Sequence, residues 1–504
     1  MLTISEYIDK VRACWIGKNI GGTLGGPLEG TRGFFDINYY MHDLDEGVLP
    51  NDDLDLQLVW LNAAERYGKS VDAKLMGAYW QTFITAHWSE YGAGKANMKM
   101  GLVPPLSGSY HNDYKDSCGA FIRSELWACL MPANPQMAVK YAYEDSIMDH
   151  SGEGVYGEVF CAALESAAFS ENNLRELINI ALSYIPSDCG VAKGIKTAID
   201  CYDSGKDIRE CRREILKTVP GSFGMFKGYQ DREPEPDIPE GRRGYDAPSN
   251  VAIMTAALLY GEGNFDKTVC TAVSCGEDTD CTAATAASIF GIMYGSKAFG
   301  EKWTKPIGDA IKTVSLDVTD AYCVKVPKTI TELTERVAKL MPTFMSGYIT
   351  YEGDKMLIGG EENLYNVSGH RRAVEVMYEF SQVLAKQPDT VTYSFPMLDF
   401  DVKYVGGPMI KNNEEKIIKV SAIKHINRQQ WLEMEWLLPE ELEIDCVTKS
   451  VYCEYVPNEN NYVCEAQFAI KSENMTRTSY TPVLKIKSNL TGEVMCIPVT
   501  LIRE

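Results

Sequence analysis

The sequence lacks the cysteine patterns of zinc sites and redox motifs, although it contains 15 cysteines. No two of them have the C-x-x-C spacing, and no group of cysteines and histidines has the spacing of a zinc site. Cys129, Cys161 and Cys270 lie in apolar segments with helical character, where a free cysteine behaves as a small hydrophobic residue. We therefore expect reduced core thiols, as in a cytosolic protein, and no disulfide framework.

The sequence also shows neither the pattern of a signal peptide at its start nor an apolar run typical of a membrane-spanning segment. Residues Met1 to Gly22 begin as an amphipathic helix with acidic Glu6 and Asp9, without the basic head and apolar stretch of a signal peptide. The longest apolar run, Thr282–Tyr294, is too short to span a bilayer, which takes about 20 residues. We expect a cytoplasmic protein without a membrane partner.

Positive charge is scarce, because 49 Lys and Arg residues stand against 70 Asp and Glu residues and give a formal net charge of -21. Such an acidic surface repels phosphate backbones, so we expect no nucleic-acid partner. The excess of acids suits a protein that binds divalent cations, but charge alone favours the simpler explanation of solubility. Hydrophobic residues make up 45% of the chain, which is enough for large cores in two domains.

Two kinds of sequence pattern divide the chain. Residues 1–346 carry apolar residues at helical spacing, for example in Leu54–Tyr67 and Tyr156–Phe169. Residues 347–504 contain short β-branched and aromatic runs separated by turn residues, and no catalytic motif stands out there. The sequence predicts a mainly α protein, with an all-α domain over the first range and a β-sandwich over the second. The charged, proline-rich stretch Asp231–Gly244 is predicted to be a surface loop.

Glycines recur at every fourth position in G-K-N-I-G-G-T-L-G-G-P-L-E, which runs from Gly17 to Glu29. This spacing puts small residues on one helix face and allows a neighbouring backbone to approach closely. Gly26 and Pro27 then end the helix and leave Glu29 in a loop. Taken alone, the stretch predicts a packing motif, and Glu29 becomes a functional candidate only if other acids lie near it.

A first acidic cluster, Asn51-Asp52-Asp53, follows Pro50 at the start of a predicted helix. Helix capping explains one of these polar side chains, but not three in succession. Adjacent carboxylates repel one another unless a cation lies between them, and oxygen-rich clusters suit hard cations such as Mg²⁺. Capping and metal binding are equally supported by this segment alone.

A second acidic cluster, Asp278-Thr279-Asp280, opens a helix of very small residues that must be deeply packed. Aspartate is favourable at a helix N-terminus because of the helix dipole. A rigid, buried helix is also the support that a metal pair needs. Two such clusters in one helical domain favour the metal site.

Together these segments resemble the ADP-ribosylglycohydrolase family. The family pattern is G-x-x-x-G-D-x-L-G-x-P-x-E, then T-D-D-T at a helix start, then a late D-x-D-T. This chain has G-K-N-I-G-G-T-L-G-G-P-L-E, N-D-D-L and D-T-D-C in that order. The segment Gly119–Arg123 resembles the family's G-x-x-M-R substrate loop, and His150-Ser151 resembles its T-H step. The resemblance covers about residues 1–345 and extends to a bacterial subgroup with an additional C-terminal β domain.

The resemblance implies an orthogonal helical bundle around two Mg²⁺ ions, for which Mn²⁺ is an alternative. The implied metal ligands are Asn51, Asp52, Asp53, Asp278, Asp280 and Cys281. The implied catalytic residues are Glu29, Asp53 and Asp278, and the implied substrate-binding residues are Gly119, Arg123 and His150. Four positions depart from the family pattern: Gly22 replaces an aspartate, while Asn51, Leu54 and Cys281 replace threonines. An Asn carbonyl can still ligate a hard cation, whereas sulfur is a soft and poor Mg²⁺ ligand.

The resemblance further implies hydrolysis of the ribosyl glycosidic bond of an ADP-ribosyl conjugate, either a small molecule or an ADP-ribosylated protein. A furanosidase acting on a ribosyl or arabinosyl glycan, or on a nucleoside derivative, is a second hypothesis that needs no diphosphate site. The departures from the pattern motivate a third, a catalytically silent ADP-ribose-binding or structural protein. Arg123 could bind a pyrophosphate or pair with an acid such as Glu125. His87 and Trp88 could line the sugar site, although an aromatic here is more typical of a core. The oligomeric state stays open.

Overall fold

The computed structural model describes most of the chain, namely residues 1–220, 244–317, 324–360, 362–366, 384, 388–424, 428–454 and 463–504. The predicted surface loop Asp231–Gly244 lies outside the described residues except for Gly244. No helix in the described ranges is both long enough and apolar enough to cross a membrane.

Contacts within the chain define two compact units. We call Met1–Gly92 with Asn112–Ala385 the helical unit, and Ala93–His111 with Lys386–Glu504 the strand unit. The sequence predicted two domains that meet after residue 346. A domain is a part of the chain that folds independently, and these contacts do not test that property, so the domain division stays a prediction.

Sixteen α-helices occur in the described part of the chain, and most of them belong to the helical unit. In chain order they are α1 (Ile4–Gly25), α2 (Asp52–Tyr67), α3 (Ala73–Phe83), α4 (Ser89–Lys99), α5 (Leu106–Ser109), α6 (Glu125–Leu130), α7 (Pro135–Ser146), α8 (Glu153–Ala167), α9 (Leu174–Leu182), α10 (Gly190–Asp203), α11 (Ile208–Thr218), α12 (Ala247–Gly261), α13 (Phe265–Ser274), α14 (Thr279–Tyr294), α15 (Glu301–Ile307) and α16 (Ile330–Phe344). The predicted mainly α fold is confirmed.

Helix α1 packs lengthwise against α14, and its glycines make this possible. A methyl group added at Gly17, Gly21 or Gly25 would overlap the backbone of α14 at successive turns. The contacts run in opposite directions along the two helices, from Gly17 beside Ala287 to Gly25 beside Thr279. The packing motif predicted from the glycine spacing is therefore confirmed. Its consequence is that the end of α1 lies beside the start of α14.

The helical unit also contains a small antiparallel sheet with the strand order β1-β3-β2. Its strands are β1 (Leu2–Thr3), β2 (Ile349–Glu352) and β3 (Lys355–Ile358). Leu2 pairs with Ile358, so this sheet joins the first residues of the chain to the segment that follows α16.

Twelve strands occur in the described part of the strand unit. They are β4 (Thr390–Ser394), β5 (Leu398–Tyr404), β6 (Met409–Ile410), β7 (Lys416–Lys424), β8 (Gln430–Leu437), β9 (Glu443–Ile444), β10 (Thr448–Cys453), β11 (Val463–Lys471), β12 (Ser479–Tyr480), β13 (Val483–Ser488), β14 (Val494–Pro498) and β15 (Leu501–Arg503). The sheet orders are β4-β5-β7-β11-β9, β10-β8-β13-β14 and β12-β15-β6.

The two larger sheets share one apolar core, to which Phe400 and Phe468 contribute from the first sheet and Met434 from the second. Along β5, buried and partly exposed residues alternate, as expected of a sheet with one face in a core. The predicted C-terminal β region is confirmed. Cys453 and Cys464 form a disulfide between β10 and β11, so the expectation of reduced thiols is wrong for this pair. The other cysteines of the described residues are free.

Candidate functional site

Carboxylates from three separate segments of the helical unit meet at the junction of α1, α2 and α14. Glu29 follows the 3-10 turn Gly26–Leu28 that ends α1, and Asp53 lies in the first turn of α2. Asp278 occupies the N-cap position of α14 without a capping hydrogen bond from its side chain, and Asp280 lies in the first turn of this helix. Ligand atoms of Glu29, Asp278 and Asp280 all lie within 4.8 Å of one another. The sequence-predicted acids are therefore brought together, and we call them the acidic cluster, with Asp52 as its fifth member.

Asp280 belongs to both possible ion-binding groups of the cluster. It lies with Glu29 and Asp278 in one group, and its ligand atom also lies within 4.8 Å of those of Asp53 and Cys281. A carboxylate shared between two groups is an arrangement suited to a pair of cations; the group with Glu29 and Asp278 offers only oxygen ligands, whereas the other includes the sulfur of Cys281.

The acidic cluster is poorly stabilised by the protein itself. Oδ2 of Asp53, Oδ1 of Asp278 and Oδ1 of Asp280 are buried and accept no hydrogen bond from any described residue. Burial raises the pKa of all three carboxyl groups above the usual aspartate range. Repulsion from neighbouring acids raises the pKa of Asp278 further, whereas at Asp53 the ammonium of Lys18 partly offsets the rise. Divalent cations would relieve both costs, so the residues present fit a hard-metal site.

Asn51 and Cys281 contact the acidic cluster as donors. Oδ1 of Asn51 accepts the backbone N–H of Asp53 at 2.8 Å and caps α2, while its amide donates to Oδ2 of Asp280 at 3.3 Å. The Cys281 thiol donates to Oδ1 of Asp53 at 3.4 Å, and burial raises the pKa of that thiol. The amide of Asn51 occupies space that a side chain at Gly22 would fill, so these two departures from the family pattern fit each other. Metal ligation by Asn51 and Cys281 stays a prediction.

A cavity opens onto the acidic cluster. Its walls carry five carboxylates and three aromatic rings, together with Gly119 and Ser117. The carboxylates are those of Glu29, Asp52, Glu90, Asp278 and Asp280, and the aromatic rings are those of Trp88, Tyr91 and Tyr245. No Lys, Arg or His side chain is present among the described lining residues. A Cβ atom at Gly119 would overlap the carboxylate of Glu90, so this glycine leaves the room in which Glu90 lies.

Arg123 lies behind the cavity wall and is fully buried. Its guanidinium donates to Asp149 at 2.6 Å, contacts Oδ1 of Asp145 at 2.6 Å and donates to the carbonyl of Gly119 at 2.9 Å. The sequence left two alternatives for Arg123, binding a pyrophosphate or pairing with an acid. The structure shows pairing with acids, and the partners are Asp145 and Asp149 instead of Glu125. This geometry favours a positioning role, and substrate binding by Arg123 stays a prediction without structural support.

His150 is also fully buried, and Ser117 lies between it and the cavity. Its Nε2 shares a hydrogen bond of 2.8 Å with the hydroxyl of Ser117, and its Nδ1 lies 2.9 Å from Asp149. Ser117 is thus the group that faces the cavity, and sequence reasoning missed it because an isolated serine carries no signal. Direct substrate contact by His150 stays a prediction, whereas Gly119 does line the cavity.

Lys18 and Glu125 form a buried ion pair beneath the acidic cluster, which sequence reasoning also missed. The ammonium of Lys18 donates to Glu125 at 2.7 Å and lies 3.7 Å from Oδ2 of Asp53. Burial opposes the charge on Lys18, but Glu125 and Asp53 hold the pKa of its ammonium above the usual lysine value. Gln57 donates to the other carboxylate oxygen of Glu125 at 2.9 Å. The only sequence signal for this buried ion pair was the presence of a lysine, Lys18, within the glycine-rich stretch of α1.

The family model of the ADP-ribosylglycohydrolases matches residues 3–342 of this chain. No curated protein matches it. Among solved structures, an ADP-ribosylglycohydrolase-related protein complex is similar, with 16% identity and a TM-score of 0.42 over 67% of this chain and 98% of that one. A FixG-related protein from Vibrio parahaemolyticus is similar over 22% of this chain and 99% of its own, with 10% identity and a TM-score of 0.17. Likenesses at these scores carry no information about activity. The family match spans the whole acidic cluster and two thirds of the sequence, and it shows that the chain belongs to the ADP-ribosylglycohydrolase family.

Proposed function

We propose that this protein is a metal-dependent glycohydrolase that cleaves the bond at the anomeric carbon of a ribosyl-type sugar. Family membership supports a glycohydrolase-type activity in general. The observation that carries the finer proposal is the meeting of carboxylates from three segments around buried oxygens that have no hydrogen-bond partner among the described residues. Unpaired buried carboxylates destabilise a fold unless a bound cation compensates them.

Four carboxylates of the acidic cluster would hold the ions, namely Asp52, Asp53, Asp278 and Asp280. When bound, Mg²⁺ or Mn²⁺ supplies Lewis-acid chemistry and lowers the pKa of a bound water. Asp53 and Asp278 would also stabilise positive charge that develops on the sugar ring. Repulsion from Asp280 and then burial raise the pKa of Glu29 to about 10, so its carboxyl group holds a proton that it can give to the glycosidic oxygen.

An ADP-ribosyl conjugate is the first substrate class to test, because the family is named for that activity. The substrate would be a small ADP-ribosyl compound or an ADP-ribosylated protein side chain. The hydrolysed bond would then be the one that joins the distal ribose to its acceptor.

A neutral furanoside is a second substrate class, and one observation favours it. A diphosphate needs cationic partners, but the described cavity lining has five carboxylates and no basic side chain. The guanidinium of Arg123, the expected pyrophosphate ligand, is enclosed by Asp145 and Asp149. A ribosyl or arabinosyl glycoside requires no such partner.

The test combines metal binding with turnover in three proteins: the wild type, Asp278→Asn, and Asp36→Asn as a control at a surface acid whose side chain is 91% exposed. Thermal unfolding is measured in EDTA, Mg²⁺ and Mn²⁺, since a ligand that binds only the folded state raises the melting temperature. Hydrolysis is then measured with ADP-ribosyl-arginine and with nitrophenyl arabinofuranoside and ribofuranoside.

We expect metal to raise the melting temperature of the wild type and of Asp36→Asn, but not that of Asp278→Asn, and turnover to follow the same pattern. Preference for ADP-ribosyl-arginine supports the first substrate class, and preference for the nitrophenyl furanosides supports the second. A wild type that does not respond to metal contradicts the proposal and favours a catalytically silent binder.

A further inference from the structure

We infer that Trp88 forms a binding subsite for a neutral sugar ring beside the acidic cluster. The substrate would then carry a second sugar next to the one whose glycosidic bond is cleaved. This inference rests on the proposed glycohydrolase function and names its substrate class. Sequence reasoning gave Trp88 as either a sugar-site residue or a core residue, and four features of the structure favour the first.

The first feature is exposure. Trp88 lines the cavity, and 43% of its surface remains accessible. In contrast, Trp15, Trp60, Trp80, Trp127 and Trp303 are among the largest fully buried side chains of the protein. Burying a large aromatic side chain stabilises a protein, so a tryptophan left open at a cavity forgoes stability that a bound ring face can recover.

The second feature is rigid support of one ring face. The Trp88 ring stacks on Tyr91, with 6.0 Å between ring centroids and 27° between ring planes. Tyr91 is itself buried and packs edge-on against Trp80 at 5.1 Å. The indole is thereby backed by two further rings, and such pre-organisation reduces the entropy lost on binding.

The third feature is the backbone around Trp88. Ser89, the next residue, has a φ of 45°, in the left-handed region that residues with a side chain rarely adopt. The N–H of Gly92 donates to the carbonyl of Trp88 at 3.1 Å, and any side chain at Gly92 would overlap the carbonyl of His87. Strained backbone held by its surroundings is concentrated at binding sites and active sites.

The fourth feature is the distance to the reacting centre. The hydroxyl of Tyr91, on whose ring Trp88 stacks, donates to Oδ2 of Asp52 at 3.2 Å. One aromatic ring therefore separates Trp88 from an expected metal ligand. A ring on Trp88 would be the direct neighbour of a sugar held at the acidic cluster, so it would belong to the same substrate.

The surroundings of Trp88 indicate a neutral polyhydroxylated ring. Carboxylates of Glu29, Asp52 and Glu90 line the same cavity, where they can accept hydrogen bonds from sugar hydroxyls. An aromatic face beside acceptor carboxylates, with no basic side chain in the described lining, is suited to a sugar and not to a nucleotide diphosphate.

The test uses calorimetric titration of the Mg²⁺-loaded protein with four probes: arabinose, α-1,5-arabinobiose, a ribofuranosyl disaccharide and ADP-ribose. The variants are Trp88→Ala, Trp88→Phe, which keeps a ring, and Trp431→Ala, which removes a 50% exposed tryptophan of the strand unit. We expect Trp88→Ala to weaken binding of at least one disaccharide about tenfold and to leave arabinose binding unchanged. Trp88→Phe should lose less than threefold, and Trp431→Ala should match the wild type.

Each contrary outcome has a distinct meaning. A wild type that shows no metal-induced rise in melting temperature overturns the proposed function itself. If metal binds but neither disaccharide does, or if Trp88→Ala weakens arabinose and the disaccharides equally, the sugar subsite is overturned while the metal site stands. Tighter binding of ADP-ribose than of both disaccharides, lost in Trp88→Ala, would overturn the sugar and assign the subsite to a nucleobase.

Discussion

The ammonium group of Lys18 lies 3.7 Å from Oδ2 of Asp53, and both side chains are buried. The same ammonium donates to Glu125 at 2.7 Å and to the carbonyl of Ile122 at 2.6 Å. Lys18 belongs to α1, Asp53 to α2 and Glu125 to α6. One buried cation therefore joins three helices directly beneath the acidic cluster and lies beside the carboxylate of Asp53.

We expect Lys18→Met to lower the free energy of unfolding by about 3–5 kcal/mol, because it leaves the carboxylates of Glu125 and Asp53 buried without their cation. Urea denaturation of the Mg²⁺-loaded protein measures the loss. Lys10→Met is the matched control on the same helix, since the Lys10 ammonium donates to backbone carbonyls, such as that of Ile292, and should cost only about 1 kcal/mol. Adding Glu125→Gln to Lys18→Met should restore part of the stability. Equal losses in the two single variants would show that the charge of Lys18 is unimportant.

The close approach of α1 to α14 gives a second prediction. A methyl group at Gly21 would overlap the backbone of Ala283, so Gly21→Ala should separate the helices and cost about 1–3 kcal/mol. Because Glu29 and Asp280 lie at the adjoining ends of these helices, the affinity for metal should fall as well. Thermal unfolding and a Mn²⁺ titration measure the two effects.

Gly26→Ala is the control for Gly21→Ala, because a methyl group there would have nothing within 4 Å. It should leave both stability and metal affinity close to those of the wild type. In an open helix, alanine is more favourable than glycine by about 1 kcal/mol. A stabilising Gly21→Ala would therefore mean that the two helices are not in close contact in solution.

The fold class and the acids of the site could be predicted from sequence, because both depend on local signals. Helical spacing separates the first two thirds of the chain from the β-branched runs of the last third. The order of the motifs around Glu29, Asp53 and Asp280 indicates that these acids act together. Their meeting follows physically from the Gly17–Gly25 face of α1, which brings the ends of two helices together.

Features that depend on tertiary neighbours could not be predicted. Arg123 is enclosed by Asp145 and Asp149, which lie more than 20 positions further along the chain, so no local pattern shows that its charge is already paired. Lys18 lies in an apolar, glycine-rich helix, and the helical spacing of apolar residues does not indicate that this lysine is buried. The Cys453–Cys464 pair connects two different sheets, and its geometry depends on how those sheets pack.

Replacing Asp280, which belongs to both possible ion-binding groups, should raise the melting temperature of the metal-free protein and abolish the further rise with Mg²⁺. Asp280→Asn removes a buried carboxylate that raises the pKa of both Glu29 and Asp278 through repulsion. We expect a higher melting temperature than that of the wild type in EDTA, and no further rise with Mg²⁺. Scanning calorimetry in both buffers measures this reversal.

Asp55→Asn is the matched control for Asp280→Asn, since Asp55 is a buried acid in the first turn of α2 that serves as an anchor. Its Oδ2 accepts the backbone N–H groups of Val314 and Ser315, at 2.8 and 2.6 Å. Asp55→Asn should therefore lower the melting temperature in EDTA and retain the rise with Mg²⁺. A lower melting temperature of Asp280→Asn in EDTA would show that the acidic cluster is not under electrostatic repulsion.

The pH dependence of the metal-free protein follows from the same repulsion. Burial and then the carboxylate of Asp280 raise the pKa of Asp52 to about 7, and Asp53 and Asp278 are shifted upward as well. The folded state then binds protons more tightly than the unfolded chain, in which an aspartate has a pKa of about 3.9. The stabilising effect of protonation is fully present below that value and is lost as the pH rises through about 7. In EDTA, the melting temperature should fall between about pH 5 and about pH 8.

Metal should reverse this trend, because divalent cations compete with protons for the same carboxylates. The rise in melting temperature caused by Mg²⁺ should be small at about pH 5, where the carboxyl groups are protonated, and large at about pH 8, where they are free to bind. Calorimetry with and without EDTA across this range measures the difference, and Asp280→Asn should show a shallower slope in EDTA. A melting temperature that rises with pH in EDTA would contradict the raised pKa values and, with them, the electrostatic reason for placing a cation between Asp53, Asp278 and Asp280.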